Sequence, residues 1–496
     1  MAERKVRIYT IAVIGMLLCM AGFMLVHASK QSFWYDELDW TIGLINQKPM
    51  LHALLEYGAH PPLYFIILKP LYELLPYGEM YLLIPSIAFV ILGIMITGKA
   101  GKIIGGIDLG FVAVCIAVSS GTLIAYSWEL RPYTIAFCFS SLALLMYIKR
   151  LKQETNSNIL NYGISLGLLL YSHWFGTILA LSYALIDLYL YLRKKVSPKC
   201  IFPYILAGLL FLPWVFMWLP LHANSFSADL WSPTPGDIVP ISTVFFLLTS
   251  SLVYLFLFNI GFIIILFKNV RENKALDAFK IWFFISIGII WTILLGYIYC
   301  KYIHPSGTIY ANRDFLVIMP HVFLITAYGF LKAFSVIQHN FFTTAIKRRF
   351  LYGIVIAFFC INIFRAYQKT YSNPMVDQPY REVAELLSQE EQIASANTLV
   401  ISSYGTAWIE YYFSKRGFAI PANVALCTSW ASFLFIYNGQ YIQPIILSKE
   451  DILNFDIIYA FQVSENFPED FIYTISQYYN IYQPNQAYQL YYCLRR

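Results

Sequence analysis

Asp36 and Glu37 stand side by side in the stretch Ser32-Phe33-Trp34-Tyr35-Asp36-Glu37-Leu38-Asp39-Trp40. Amphipathic Trp and Tyr favour the membrane–water boundary, which places the two carboxylates at a bilayer edge, near the depth of a lipid phosphate. An Asp held there can take a proton from an incoming hydroxyl when a substrate is positioned against it. Taken by itself the stretch reads better as a solvated acidic loop with interfacial aromatics. The residues downstream change that balance.

Four further stretches carry polar groups of the right kind. In His60-Pro61-Pro62-Leu63-Tyr64 the two prolines fix the backbone and start a helix, which aims His60 back toward the acidic pair. A turn with an incidental His fits equally well. In Ser127-Trp128-Glu129-Leu130-Arg131-Pro132-Tyr133, Arg131 can hold a lipid phosphate in a fork geometry and Glu129 can orient another polar group. An interfacial salt bridge between the two is the plain alternative. Tyr171-Ser172-His173-Trp174 sets a His between two short apolar runs, which suits a water-lined cavity or an ordinary turn. Arg313, followed by Asp314, opens a later apolar run; it either binds an anion or snorkels at the interface.

The elements that must position these groups are membrane spans. The chain has 496 residues, 59% hydrophobic and 12% charged, against about 25% charged in a soluble domain. Its net charge of +6 sits in short basic clusters between apolar runs, so it is no nucleic-acid signal. Apolar runs fall near 8–27, 81–98, 108–126, 133–148, 158–171, 174–192, 200–219, 240–267, 279–299, 315–337 and 350–366. With the N-terminus inside, the clusters Lys99/Lys102, Lys149/Arg150/Lys152, Arg193/Lys194/Lys195, Lys268/Arg271/Lys274 and Lys347/Arg348/Arg349 all lie on the cytoplasmic side. That gives about eleven spans with the C-terminus out. Leu63 to Leu75 is too short to span and contains Lys69, Pro70 and Glu73, so residues 28–80 read as one external loop with interfacial helices. The first run, about Ile8 to His27, is long for a signal peptide and is read as a retained anchor. Asp36, Glu37, His60, Glu129, Arg131, His173, the loop 221–237 and Arg313 then share the external face.

Residues 367–496 lack long apolar runs. Arg381 to Leu387 and Ala407 to Ser414 have helical patterns, while Leu399-Val400-Ile401 and Phe455 to Tyr459 read as short buried strands, giving a small extracytoplasmic α/β domain after a membrane domain of residues 1–366. Of the eight cysteines, Cys427 and Cys493 lie in this region, and sequence leaves their pairing open. No Cys/His metal spacing, P-loop or GxGxxG is present.

In order, Trp34-x-Asp36-Glu37, His60-Pro61-Pro62-Leu63-Tyr64, Glu129-x-Arg131-Pro132-Tyr133, Tyr171-Ser172-His173-Trp174, Pro213-Trp214 and Arg313 resemble the motifs of bacterial protein O-mannosyltransferase-like, GT-C-fold membrane glycosyltransferases, a group that includes the lipid A aminoarabinose transferases. The resemblance runs over roughly residues 1–370. It departs at Leu82-Leu83-Ile84-Pro85-Ser86, which lacks the Arg that relatives carry before Pro-Ser, and at Arg313-Asp314, where relatives have Arg-Tyr. It implies a polytopic α-helical GT-C-like protein of the bacterial inner or plasma membrane, and an inverting transfer of sugar from a polyprenyl-phosphate donor to an acceptor hydroxyl on protein, lipid or glycan. Asp36 is then the catalytic carboxylate with Glu37 beside it, and Arg131, Arg313, His60, Glu129, His173 and Tyr133 bind donor or phosphate. No nucleotide cofactor is implied; a divalent metal is left open, with His60, Glu129 and His173 as candidate ligands. The rivals are a lipid-linked sugar flippase, which predicts inverted repeats that are not seen, and a scaffold of an envelope glycan pathway.

Overall fold

The computed structural model describes residues 2–30, 32–46, 49–57, 60–75, 78–222, 252–271, 287–295, 298, 312–342, 344–372, 379–402, 407–414, 416, 419, 421, 423–429, 432–435, 446–447, 453–461, 471–485 and 490–496. The loop 221–237 lies almost wholly outside them, as do parts of the expected spans 240–267 and 279–299. Contacts divide the chain into two units. One comprises residues 1–28, 60–66 and 83–375; the other comprises 29–59, 67–82 and 376–496.

The first unit is helical. Among the described residues seven helices are long and apolar enough to cross a membrane: Glu3–Ala28, Glu79–Val118, Tyr133–Lys152, Trp174–Leu192, Pro198–Leu221, Arg313–Phe341 and Phe350–Gln368. A further helix, Asn156–Ser172, stands at the expected span 158–171. The 40-residue segment Glu79–Val118 holds the expected span 81–98 and the first part of 108–126, because helical geometry fails at Gly105 and Gly106, the latter with φ 85°; the rest of 108–126 is a separate helix, Gly121–Ser127. The chain turns back there. A Cβ added at Gly98 would lie 2.6 Å from the Val114 side chain, and one at Gly101 would lie 3.0 Å from the Gly110 Cα. In one straight helix residues 98 and 114 would stand about 24 Å apart. Glycine supplies both the turn and the close approach of the two arms.

One polar cluster crosses the helix interior. Arg150 Nη2 donates to both carboxylate oxygens of Asp187, at 2.6 and 2.7 Å. The hydroxyls of Tyr147 and Tyr204 donate to the same carboxylate, each at 2.7 Å. The guanidinium also lies over the Tyr147 and Tyr162 rings. Arg150 is 2% exposed and Asp187 1%. Arg150 is therefore a buried tie between Tyr133–Lys152 and Trp174–Leu192, not one of the loop charges counted for topology. The nearby Lys149, Lys152, Arg193 and Lys194 mark the basic ends of those two helices, while Tyr133 and His173 mark the opposite ends.

The second unit joins two parts of the chain. Its sheet has seven strands: β1 (Thr398–Ser402), β2 (Asn423–Ser429), β3 (Ser432–Phe435), β4 (Ile446–Leu447), β5 (Ile457–Phe461), β6 (Tyr479–Asn485) and β7 (Leu490–Arg495), in the order β4-β3-β2-β1-β5-β7-β6. The apolar runs around 399–401 and 457–459 become adjacent central strands. β1 runs parallel to β2 and β5, and both β1 and β5 are buried along their length, as a parallel centre requires. Leu399, Ile401, Ile458, Ala460 and Cys493 share one core with Phe471 and Ile475. Cys493 is a free thiol. Its strand lies three steps from that of Cys427, about 14 Å at the usual strand spacing, beyond the roughly 7 Å a disulfide spans. The two do not pair.

The loop segment of this unit is built from short helices. Leu63–Leu74, twelve residues with Pro70 inside, is about 18 Å long, well short of the roughly 30 Å hydrocarbon core. Its second half, with Tyr35–Glu37, Leu38–Gly43 and Met50–Tyr57, groups with the sheet.

Candidate functional site

In the first unit His60, Arg131, Tyr133, His173, Arg313 and Asp314 come together although they span more than 250 positions. The turn Trp128 to Pro132 joins the helices Gly121–Ser127 and Tyr133–Lys152, and Glu129 and Arg131 in it are buried at 3% and 5% exposure. Ser120 caps the first helix by accepting from the Leu123 amide. Ser86 fixes the turn from outside: its hydroxyl donates to the Glu129 carbonyl at 3.1 Å and meets the Tyr64 hydroxyl at 2.9 Å. Ser86, which follows the apolar residues Leu82-Leu83-Ile84, thus links the His60-Pro61-Pro62-Leu63-Tyr64 stretch to the Glu129-Arg131 turn. Sequence reasoning gave Ser86 no such role.

His173 ends the helix Asn156–Ser172 and caps Trp174–Leu192. Its Nδ1 accepts from the Phe175 amide at 3.2 Å, so in the neutral ring the proton sits on Nε2. Nε2 faces Asp314 Oδ1 at 3.5 Å. Asp314 therefore turns toward His173, a contact that adjacency to Arg313 does not suggest. His60 is fixed in the opposite sense. Arg131 Nη2 donates to His60 Nε2 at 3.2 Å, which puts the His60 proton on Nδ1. Nδ1 is buried with no hydrogen-bond partner among the described residues.

The rings pack closely. His60 and His173 have centroids 4.8 Å apart. Tyr133 lies 6.0 Å from His60 and 5.7 Å from His173, and the Arg313 guanidinium sits 5.6 Å from the Tyr133 ring. Burial, then His173, Arg131 and Arg313, hold His60 well below the ordinary imidazole pKa. Burial, then the same two arginines, bring His173 down to about 3. Both imidazoles are neutral at physiological pH, and two guanidiniums bear on them. Such a group suits an anion, with neutral N–H donors beside fixed cations.

These depressed values make a pH prediction. An imidazole held below its ordinary value of about 6.5 adds stability that is complete above that pH. The contribution fades as pH falls toward about 3. The unfolding midpoint of the detergent-solubilised chain is expected to drop across that window. His173→Asn keeps a capping acceptor and should flatten the drop, whereas an equal slope in both proteins would show His173 is not its source.

His60, Glu129 and His173 do not form a ligand set. Among the described residues no three His, Cys, Asp or Glu side chains converge closely enough to hold a metal ion.

Asp36 and Glu37 lie in the second unit and differ in environment. Glu37 is 1% exposed. Its Oε2 accepts from the Trp34 amide at 2.9 Å, while the Trp34 carbonyl accepts from the Glu37 and Leu38 amides. This reciprocal cap closes the helical turn and occupies Glu37 in structure. Asp36 stays partly exposed. The spacing Trp34-x-x-Glu37 is the signal that could have assigned Glu37 this role from sequence.

The chain has a GT-C-like fold. The chain matches the structure of ArnT from Cupriavidus metallidurans bound to undecaprenyl phosphate with a TM-score of 0.62, over 99% of this chain and 98% of that one, at 10% identity. It matches the oligosaccharyltransferase AglB from Archaeoglobus fulgidus, in complex with an inhibitory peptide and a dolichol-phosphate, with a TM-score of 0.53 over 98% and 74% of the two chains, at 10% identity. A structure of the Archaeoglobus fulgidus oligosaccharyltransferase with Zn and sulfate matches at 0.53 over 90% and 68%, at 12% identity. No family model matches the sequence, and no curated protein sequence matches it.

Proposed function

We propose that this chain transfers a sugar from a polyprenyl-phosphate donor to an acceptor hydroxyl, with inversion, at the outer face of the membrane. The observation that carries the reading is the placing of Arg131 on His60, and of Arg313 on the Tyr133 ring that packs against His60 and His173, in a fold shared with a protein crystallised with undecaprenyl phosphate. Asp36 takes the proton of the acceptor hydroxyl as its oxygen bonds to the anomeric carbon. The bond from that carbon to the phosphate oxygen breaks, and the lipid phosphate leaves with the electron pair. Arg131 and Arg313 stabilise the charge that develops on it, and His60 Nδ1–H supplies a neutral donor. Tyr133 carries Arg313, Glu129 and Asp314 orient the polar groups, and Glu37 holds the Asp36 turn. Residues 1–366 form the catalytic membrane domain and 367–496 an extracytoplasmic domain that supports the loops.

Binding of undecaprenyl phosphate to the purified chain tests the phosphate assignment. Arg131→Ala should weaken it by about tenfold or more, as expected for loss of a charge-assisted contact of roughly 1.5–3 kcal/mol, and Arg131→Lys by less. Equal affinity in all three proteins would leave Arg131 as a structural partner of His60. The basic ends of the helices support a C-terminus on the outside. A reporter fused after Arg496 should be active only in the external compartment, and cytoplasmic activity would overturn this orientation.

A further inference from the structure

The stretch that leads into Asp36 is held by side chains about 350 to 380 residues later in the chain. The Tyr412 hydroxyl accepts from the Phe33 amide at 3.0 Å and donates to Glu79 Oε1 at 3.1 Å. It also lies 3.3 Å from the Ser32 hydroxyl. Arg381 grips the same few residues. Its amide donates to Ser32 Oγ at 3.1 Å, one guanidinium nitrogen donates to the Lys30 carbonyl at 2.7 Å, and the other stands 3.5 Å from Glu79 Oε1. Tyr412 is 0% exposed, Phe33 1% and Glu79 4%. The Phe33 and Tyr72 rings both pack on Tyr411, the neighbour of Tyr412.

This is more than packing. A backbone N–H has one direction, so its bond to a buried hydroxyl fixes the orientation of that peptide. The hydroxyl is in turn oriented by a buried carboxylate, and the carboxylate by a guanidinium. Phe33 is three residues before Asp36, and the Trp34–Glu37 cap carries its setting directly into the Asp36 turn. A displacement of about 1 Å at a reacting group costs up to about 10²-fold in rate. We propose that Tyr412 and Arg381, coupled through Glu79, are positioning residues that set the Asp36 turn, so that the C-terminal domain acts on the rate of the reaction. The inference rests on the assignment of the proton transfer to Asp36.

Two readouts on the full-length chain test it. The first needs no substrate. Tyr412→Phe keeps the ring and removes only the hydroxyl, and amide exchange at Phe33 should then rise by about tenfold or more, a larger rise than at the amides of the central strands β1 and β5. The second is kinetic, with a panel of undecaprenyl-phosphate-linked sugars and released undecaprenyl phosphate as the signal. Tyr412→Phe should lower kcat by about tenfold or more while the donor KM stays within about twofold. Arg381→Ala should do the same. Arg381→Lys, which keeps the charge near Glu79, should recover part of the loss. Tyr412→Phe added to Asp36→Asn should cost nothing further, because the two act through one group.

Parental kcat in Tyr412→Phe and Arg381→Ala, with Asp36→Asn inactive, would overturn the positioning role and leave the catalytic assignment standing. Equal additional losses in the Asp36→Asn background would also overturn it. If Asp36→Asn itself keeps the parental rate, the catalytic assignment fails, and exchange at Phe33 alone decides whether the clamp exists.

Discussion

Asp36→Asn is expected to lower the rate of sugar transfer by about 10²–10⁴-fold, the usual contribution of a general base. Asn keeps the shape of the side chain and removes its basicity, so the unfolding midpoint and the affinity for undecaprenyl phosphate should stay at the parental values. The contrast with the neighbouring carboxylate sharpens the prediction. Glu37 is buried and its Oε2 is engaged by the Trp34 amide. Glu37→Gln keeps an oxygen for that amide and should lose far less rate. Glu37→Ala strands a buried N–H, at about 1–3 kcal/mol, and should show its effect as reduced stability. Transfer rates with and without Asp36→Asn, at saturating donor, measure the first effect directly. A parental rate in Asp36→Asn would remove the reason to place the chemistry on this loop.

Asp187→Ala is expected to destabilise the helical unit by about 3–5 kcal/mol, the cost of stranding one member of a buried ion pair. It leaves the Arg150 guanidinium buried and takes the acceptor from the Tyr147 and Tyr204 hydroxyls. Against a total stability of about 5–15 kcal/mol that is a large fraction. The double variant Arg150→Met with Asp187→Leu removes both charges and should recover much of the loss, since an apolar pair of similar volume is often neutral or better. Thermal unfolding of the detergent-solubilised variants checks both. A single variant with the parental midpoint would mean that water reaches the pair.

The helical unit was legible because its signals are local. Apolar runs and the prolines at 61 and 62 act within a few residues, and the break at Gly105-Gly106 falls between two expected spans; the further break at Ser120 interrupts the expected span 108–126 and carries no signal in its apolar run. The central strands were legible for the same reason, as short apolar runs bounded by turns. What could not be read depends on tertiary approach. Arg150 carries the same charge as Lys149, and only the opposing Asp187 with three tyrosines makes it a buried tie. Asp314 sits beside Arg313 in sequence yet faces His173 in space. Nothing near residues 29–33 signals that Tyr412 and Arg381 will hold them. The assignment of the 28–80 segment to a membrane-surface loop followed from its length and prolines; that most of it groups with residues 376–496 depends on contacts no periodicity encodes.

In the proposed reaction the bond from sugar to lipid phosphate is broken and the sugar passes to an acceptor. The most direct measurement supplies membranes containing the chain with undecaprenyl-phosphate-linked sugars, labelled separately in the sugar and in the lipid, and follows both labels. Free undecaprenyl phosphate is expected and, in equal amount, sugar label joined to an acceptor with inverted anomeric configuration, with neither formed by Asp36→Asn membranes. Sugar and lipid labels that cross the bilayer together and never separate would contradict it and leave a carrier of lipid-linked sugar in its place.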